Sequence, residues 1–353
     1  MTWHGPDLGE EQREVRAVLD SLASDNDIEL DDARPEQIEH LRSTLVKLGL
    51  WTVGTAEQDG GGGASHAVAS TVFERLGRTW PALGWAAVQA HAAIDVLGTD
   101  SRWSALRDRV HAGYPVAVVD ASADHVRLSV TGDSLTGAVD RVDTCGLSPV
   151  LIVLDDLDET WVITDGIDAS PLPGRTGLGG ALTRSLMVEA TIGEKAVGIR
   201  AGDRRAARAR LQLGAAAVAA GVAGVAVDGA VEYATSRQQF GDSLTALPAV
   251  RRSLFIQAAR TSAVLASVFA ADRTQPVAVA AALETACDTA IDVAAMALQS
   301  HGGYGYLTEY PAERYLRDAV SLRAATNAPG VGTAAARGLV GRELPRKTTK
   351  EPA

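Results

Sequence analysis

Apolar residues recur every three to four positions through the first third of the chain and again through its last 150 residues or so. This spacing is typical of helices with one buried face. Asp7 is a candidate cap for the first helix, with Glu10 as its capping-box partner, Pro35 begins the second, and Gly49 ends it. The predicted helices cover residues 10–23, 35–48, 65–78, 203–236, 248–273, 276–300, 311–326 and 331–344.

The pattern changes between Pro115 and Glu194 into short, valine-rich segments separated by Gly, Asp and Ser. Segments such as PVAVVD, HVRLSV, SLTGAV, PVLIVL and TWVITD predict strands, and residues 131–134 (TGDS) predict a hairpin turn. Helices and strands do not alternate, so the pattern favours an α+β chain with a small antiparallel β domain over a doubly wound sheet.

The same pattern predicts four segments along the chain. They are an N-terminal helical domain (1–113), a shortened middle β domain (114–197), a C-terminal domain of the four-helix-bundle type (198–346) and a disordered tail (347–353).

Composition restricts the partners of this chain. A net charge of −11 and a pI of about 5.1 argue against a nucleic-acid ligand, which requires basic clusters. The most apolar stretch, Leu213–Val227, is shorter than the ~20 residues a bilayer requires, so we expect a buried core helix and no membrane span. Two widely separated cysteines and an N-terminus without a signal-peptide pattern favour a cytoplasmic setting, and no histidine spacing indicates a metal site.

Two motifs carry candidate chemistry: EYATSRQQFG at 232–241 and LQSHGGYGYLTEYPAERYLRD at 298–318. One glycine suffices to end a helix, so the second glycine of Gly302-Gly303 indicates that a ligand approaches the backbone closely. The planar guanidinium of Arg237 suits a phosphate, and Gln299 offers both a donor and an acceptor. The alternatives are that Arg237 interacts with a helix dipole, and that the glycines form a helix stop and a turn.

Together with the helix–β–helix order, these motifs resemble those of the acyl-CoA dehydrogenase family. The resemblance implies FAD as cofactor, an acyl-CoA thioester as substrate, and electron-transfer flavoprotein as a candidate acceptor. It also implies that one protomer lends cofactor-binding groups to the FAD of its neighbour. Here those groups are Arg237, Phe240, Gln299, Gly302 and Gly303.

The chain departs from the family where a catalytic glutamate is expected. The resemblance places this base at Val331 or Thr326, or else at residues 211–213 (LQL) of the long helix. Valine accepts no proton, and threonine is a very weak base near neutral pH. No catalytic residue is therefore assigned.

The β domain also departs from the family, because much of the expected flavin-contacting loop is missing from VVDASADHVRLSV. Asp120 is either a remnant of that loop or, like Asp124 and His125, a solvated loop residue. Arg317 and Asp318 are expected to form a structural ion pair.

The chain thus keeps the groups that would bind a neighbour's FAD, but it lacks the base and much of the flavin-contacting loop that an FAD of its own would require. This predicts the base-less, β-type subunit of an α2β2 acyl-CoA dehydrogenase, with one FAD per heterodimer. The resemblance associates such enzymes with bulky substrates such as steroid side-chain CoA thioesters. Two alternatives remain: a homo-oligomeric flavoprotein that uses Asp228 or Glu232 as an atypical base, and a cofactor-free scaffold.

Overall fold

The chain folds into two helical regions on either side of a small β domain. A computed structural model describes residues 2–26, 28–155, 160–172, 176–199, 204–239, 241–307 and 309–341. Phe240 and the predicted tail at 347–353 lie outside the described residues. The helices are α1 (Glu10–Asp25), α2 (Pro35–Lys47), α3 (His66–Thr79), α4 (Pro81–Leu97), α5 (Ser104–His111), α6 (Arg204–Ser236), α7 (Pro248–Ala270), α8 (Pro276–His301), α9 (Ala312–Ala325) and α10 (Ala328–Leu339).

Two of the differences between the observed and the predicted helix ends have a local cause. Gly9, and not Asp7, caps α1, because the Gly9 N–H donates to the Gln12 side chain over 2.9 Å. Helix α10 begins at 328 and ends at 339 instead of covering 331–344, because Pro329 occupies its first turn, where proline is favoured.

The β domain contains two four-stranded sheets. Its strands are β1 (Val116–Asp120), β2 (Val126–Thr131), β3 (Ser134–Val142), β4 (Val150–Leu154), β5 (Thr160–Ile163), β6 (Ile167–Pro171), β7 (Arg184–Thr191) and β8 (Ala196–Ile199). One sheet has the order β1-β4-β5-β8 and the other β2-β3-β7-β6. The pairs are antiparallel, as predicted, except for β1 and β4, which run parallel. The predicted hairpin turn is confirmed by the pairing of Thr131 with Ser134.

Helix α6 is the core of the helical part, as predicted for residues 213–227, all of which are buried. Small residues let α3 pack directly on it. A Cβ added at Gly77 would lie 2.2 Å from the Val218 carbonyl oxygen, and one at Gly221 would lie 2.1 Å from the Glu74 carbonyl oxygen. Glycine is therefore required at both sides of this helix crossing.

A buried charge network joins α3 and α6 at the same crossing. Arg78 Nε donates to Glu74 over 2.5 Å, and its Nη1 donates to Asp228 over 2.8 Å. The side chains of Arg78 and Glu74 are both 0% exposed. The backbone N–H of Thr2 and the ring of His4 also bind Asp228. This network fixes Asp228 in a structural role.

Helix α9 is bound to the β domain by Asp318, which accepts a hydrogen bond from the backbone N–H of Leu178 over 2.6 Å. The predicted ion pair between Arg317 and Asp318 is wrong, because Arg317 binds Glu313 and Asp31 instead. Successive residues of a helix point about 100° apart, so adjacent positions do not face each other.

We expect Asp318 to make stability depend on pH. Burial raises the pKa of this carboxyl from 3.8 to about 6. The folded state therefore favours the protonated form. The contribution of Asp318 to stability is complete below pH ~4 and is lost as pH rises through ~6. Asparagine does not titrate, so Asp318→Asn does not lose this stability as the pH rises. The free energy of unfolding of the variant minus that of the wild type should therefore increase by up to about 3 kcal/mol between about pH 4 and pH 7. Urea unfolding of both proteins at several pH values measures the difference, and a flat difference would contradict the assignment.

Candidate functional site

The two motifs found in the sequence meet in the structure. Tyr233, near the end of α6, stacks against His301 at the end of α8, with 4.4 Å between ring centroids. Tyr310 packs edge-on against Tyr233 at 5.5 Å and against Tyr304 at 6.3 Å. His301 is 5% exposed and hydrogen-bonds the Ala297 carbonyl, so it supports this aromatic cluster from beneath.

Arg237 follows α6 directly and lies over this cluster. Its guanidinium carbon is 4.6 Å from the centroid of the Tyr304 ring, and its Nη2 donates to the Tyr304 hydroxyl over 3.5 Å. Among the described residues, no carboxylate forms an ion pair with Arg237. The stacked tyrosine holds the guanidinium in place while its charge remains available to an anion.

The glycines after α8 have distinct roles. Gly302 has φ = +57°, which ends the helix, and a 3₁₀ turn follows over Gly302–Tyr306. A Cβ added at Gly302 or Gly303 would meet nothing within 4 Å, so the backbone is open to an approaching group. At Gly305, in contrast, a Cβ would lie 2.7 Å from Leu298 Cδ1, so that glycine is required for packing.

Four of the five predicted cofactor-binding residues therefore occupy one exposed region. Arg237 contacts the 3₁₀ turn that begins at Gly302 and Gly303, and the exposed Gln299 lies in the last turn of α8. Phe240 lies outside the described residues. We refer to Arg237, Gln299, Gly302, Gly303 and Tyr304 as the motif surface.

Aromatic and aliphatic side chains border the motif surface. Tyr306 is 78% exposed and Leu307 is 44% exposed. The sequence motifs alone assigned no role to Tyr304, although this residue stands in the GGYGY stretch of the second motif. An aromatic residue directly after paired glycines, with an arginine expected nearby, was the signal that could have identified it.

A cavity of about 1020 Å³ lies elsewhere on the chain, between β1, the start of α6 and the α9–α10 connection. Four of the positions that the resemblance suggests for the base line it: Thr326, Val331, Leu211 and Gln212. Of its described lining residues, Asp120 is the one carboxylate, and Arg208 Nε donates to it over 2.6 Å. Asp120 ends β1 and pairs with Arg208, so the predicted loop position of this residue is wrong.

Asp228 and Glu232 are also excluded as bases for this cavity. The part of α6 that lines the cavity ends at Gln212. At 1.5 Å per residue, Asp228 lies about 24 Å and Glu232 about 30 Å farther along the helix. Neither carboxylate therefore lines this chain's own cavity.

Family comparison matches the domain order found above. Residues 9–102 match the acyl-CoA dehydrogenase N-terminal domain, and residues 198–326 match the acyl-CoA dehydrogenase C-terminal domain. The two matches together cover more than half of the chain. The chain belongs to the acyl-CoA dehydrogenase family. The domain order predicted from the resemblance is thereby confirmed.

Individual relatives agree with this family assignment. A probable acyl-CoA dehydrogenase of Mycobacterium leprae is 26% identical over 88% of this chain and 90% of its own length. A probable acyl-CoA dehydrogenase of Mycobacterium tuberculosis is 31% identical, but the match covers 49% of this chain and only about half of the relative, 46%.

Solved structures share the fold. Butyryl-CoA dehydrogenase from Megasphaera elsdenii has a TM-score of 0.74 at 20% identity and covers 97% of this chain and 100% of its own. An FAD-dependent dehydrogenase has a TM-score of 0.77 at 16% identity, with 97% and 100% covered. The acyl-CoA dehydrogenase fold predicted from sequence, with helical domains around a β domain, is confirmed.

Proposed function

We propose that this chain is the base-less subunit of a cytoplasmic α2β2 acyl-CoA dehydrogenase with one FAD per heterodimer. A homologous partner subunit would supply the base and the flavin-ring pocket. This chain would lend its motif surface to the pyrophosphate and ADP portion of the partner's cofactor. FAD bound there would accept the hydride removed from the β-carbon of a bulky acyl-CoA, such as a steroid side-chain thioester.

One observation carries this proposal: the chain's own cavity holds no proton acceptor at Thr326, Val331, Leu211 or Gln212. Asp120, the one carboxylate among the described lining residues, is bound to Arg208. A carboxylate acting as a base must reach the substrate proton and be free to accept it. Among the described lining residues, no carboxylate of this cavity therefore meets the requirement for α-proton abstraction.

The motif surface, in contrast, fits a dinucleotide phosphate supplied from outside the chain. Open backbone at Gly302 and Gly303 admits a phosphate or a ribose, and Arg237 carries no competing carboxylate among the described residues. The neighbouring exposed Tyr306 and Leu307 favour a protein surface over solvent as the final environment. A partner subunit with its own FAD would place a phosphate against the open backbone and Arg237, and it would cover Tyr306 and Leu307 with protein.

Co-expression with a homologous acyl-CoA dehydrogenase subunit encoded beside this chain tests the proposal. We expect a colourless chain alone, and a yellow complex that reduces an artificial electron acceptor with an acyl-CoA substrate. Stoichiometric flavin and turnover from the chain alone would contradict the proposal. A colourless homo-oligomer that no partner changes would instead support the scaffold alternative. Electron-transfer flavoprotein would be tested as acceptor in the same assay.

A further inference from the structure

Arg237 depends on Tyr304 for its position, and Tyr304 is itself a partly exposed residue. Tyr304 is 41% exposed. It follows Gly302 and Gly303, which carry no side chains that could pack against its ring. A side chain with this exposure rotates among several conformers in solution unless a neighbour fixes it. An ordered stack of Arg237 on Tyr304 therefore requires a further support for the Tyr304 ring.

Tyr310 provides this support. Its ring meets the Tyr304 ring edge-on, with 6.3 Å between the centroids and an angle of 80° between the planes. Edge-to-face packing at this separation is a preferred arrangement of two aromatic rings. Among the described residues, Tyr310 is the one aromatic side chain whose ring contacts Tyr304. The orientation of the Tyr304 ring is therefore set by this one contact.

Tyr310 is in turn fixed by two buried rings. Tyr233 packs edge-on against it at 5.5 Å, and the ring of His301 lies 5.6 Å away. Tyr233 is 7% exposed and His301 is 5% exposed. Two backbone hydrogen bonds also hold the segment, because the Leu307 N–H donates to the Tyr304 carbonyl and the Tyr310 N–H donates to the Leu307 carbonyl, each over 3.0 Å. Tyr310 therefore connects an exposed ring to the buried core.

We propose that Tyr310 is a positioning residue of the motif surface: it holds the Tyr304 ring, and through that ring it fixes Arg237 for an FAD phosphate. This inference rests on the proposed function for the identity of the anion, but the positioning of Arg237 is a property of the chain alone. A guanidinium that is already held in place loses less conformational entropy when it binds a phosphate. The ring of Tyr310 makes all three aromatic contacts, so phenylalanine at this position keeps the support and leucine removes it.

The side-chain Nε–Hε resonance of Arg237 in the NMR spectrum of the purified full chain tests the positioning without flavin, because a stacked tyrosine ring shifts the signal of that proton. Arg237→Ala identifies the resonance by its disappearance, and Tyr304→Ala gives its position without the stack. We expect Tyr310→Leu to remove most of the shift that Tyr304→Ala removes, and Tyr310→Phe to retain it. An Arg237 resonance that Tyr310→Leu leaves unchanged would overturn the proposal.

The FAD affinity of the assembled complex provides the second readout. Tyr310→Leu should weaken FAD binding about fivefold to tenfold, and Tyr310→Phe should bind FAD as the wild type does. In the Tyr304→Ala background, Tyr310→Leu should have no further effect, because Tyr310 acts through Tyr304. Equal losses of affinity in both backgrounds would show a general structural role and would also overturn the proposal.

Tyr114→Leu is the matched control. Tyr114 is a half-buried tyrosine between α5 and β1 whose ring lies 3.8 Å from the guanidinium carbon of the exposed Arg109. This variant should leave both the Arg237 resonance and FAD binding unchanged. Flavin retained in full by Arg237→Ala would contradict the proposed function, whereas the Arg237 resonance decides separately whether Tyr310 positions that arginine.

Discussion

Replacing Arg237 with alanine is expected to lower the FAD affinity of the assembled complex by about 100-fold while leaving assembly intact. Hydrogen bonds between a guanidinium and a phosphate are charge-assisted, and the loss of such a bidentate contact costs about 3 kcal/mol, or two powers of ten in affinity. Arg237 forms no buried ion pair with a described residue, so its removal leaves no uncompensated charge inside the fold. Flavin retained after gel filtration, together with the dissociation constant of re-added FAD, measures the effect.

Arg252→Ala is the control, because this arginine is exposed on α7 and is not one of the residues of the motif surface. It should retain flavin at the wild-type level. Tyr304→Ala should weaken FAD binding less than Arg237→Ala, because the ring only positions the guanidinium. Full flavin retention by Arg237→Ala would show that this arginine does not contact the cofactor.

The second large effect concerns stability. Arg78→Met is expected to lower the free energy of unfolding by about 3–5 kcal/mol, because it leaves the fully buried Glu74 carboxylate without its cation. It also removes a partner of Asp228 at the crossing of α3 and α6. Chemical denaturation followed by circular dichroism measures the change.

A second substitution shows whether the unpaired charge is the cause. Glu74→Gln in the Arg78→Met background removes that charge and should recover part of the loss. Arg102→Met breaks the solvent-exposed pair of Arg102 with Asp100 and should lower the free energy of unfolding far less than Arg78→Met, because water screens the charges of such a pair. Equal effects of the buried and exposed variants would contradict the assigned role of burial.

The sequence predicted the elements with strong local signals. Helices with one apolar face and valine-rich strands could be predicted, because the spacing of apolar residues, with periods of 3.6 and 2, is visible within a few neighbouring residues. Helix α4 was not predicted individually, since it is buried on nearly every side and its apolar residues show no clear face. The parallel pairing of β1 and β4 depends on the path of the chain between the two strands. The apolar pattern within each strand does not indicate that path.

Part of the candidate site could also be predicted, because some of its residues stand in local sequence motifs. Arg237, Gln299 and the glycine pair stand in motifs, so their types and spacing could be recognised. The contact of Asp120 with Arg208 joins residues 88 positions apart, so sequence alone left Asp120 as either a remnant of the flavin-contacting loop or a solvated loop residue. Asp228 remained a candidate base until the structure placed it beside Arg78 and His4.

The ratio of FAD to polypeptide in the purified wild-type complex tests the central claim most directly. It is obtained from flavin absorbance after denaturation, together with the amount of each subunit. We expect one FAD for every two chains, since in the proposed complex this chain completes the cofactor site of its partner and contains none of its own. One FAD for every chain would contradict it.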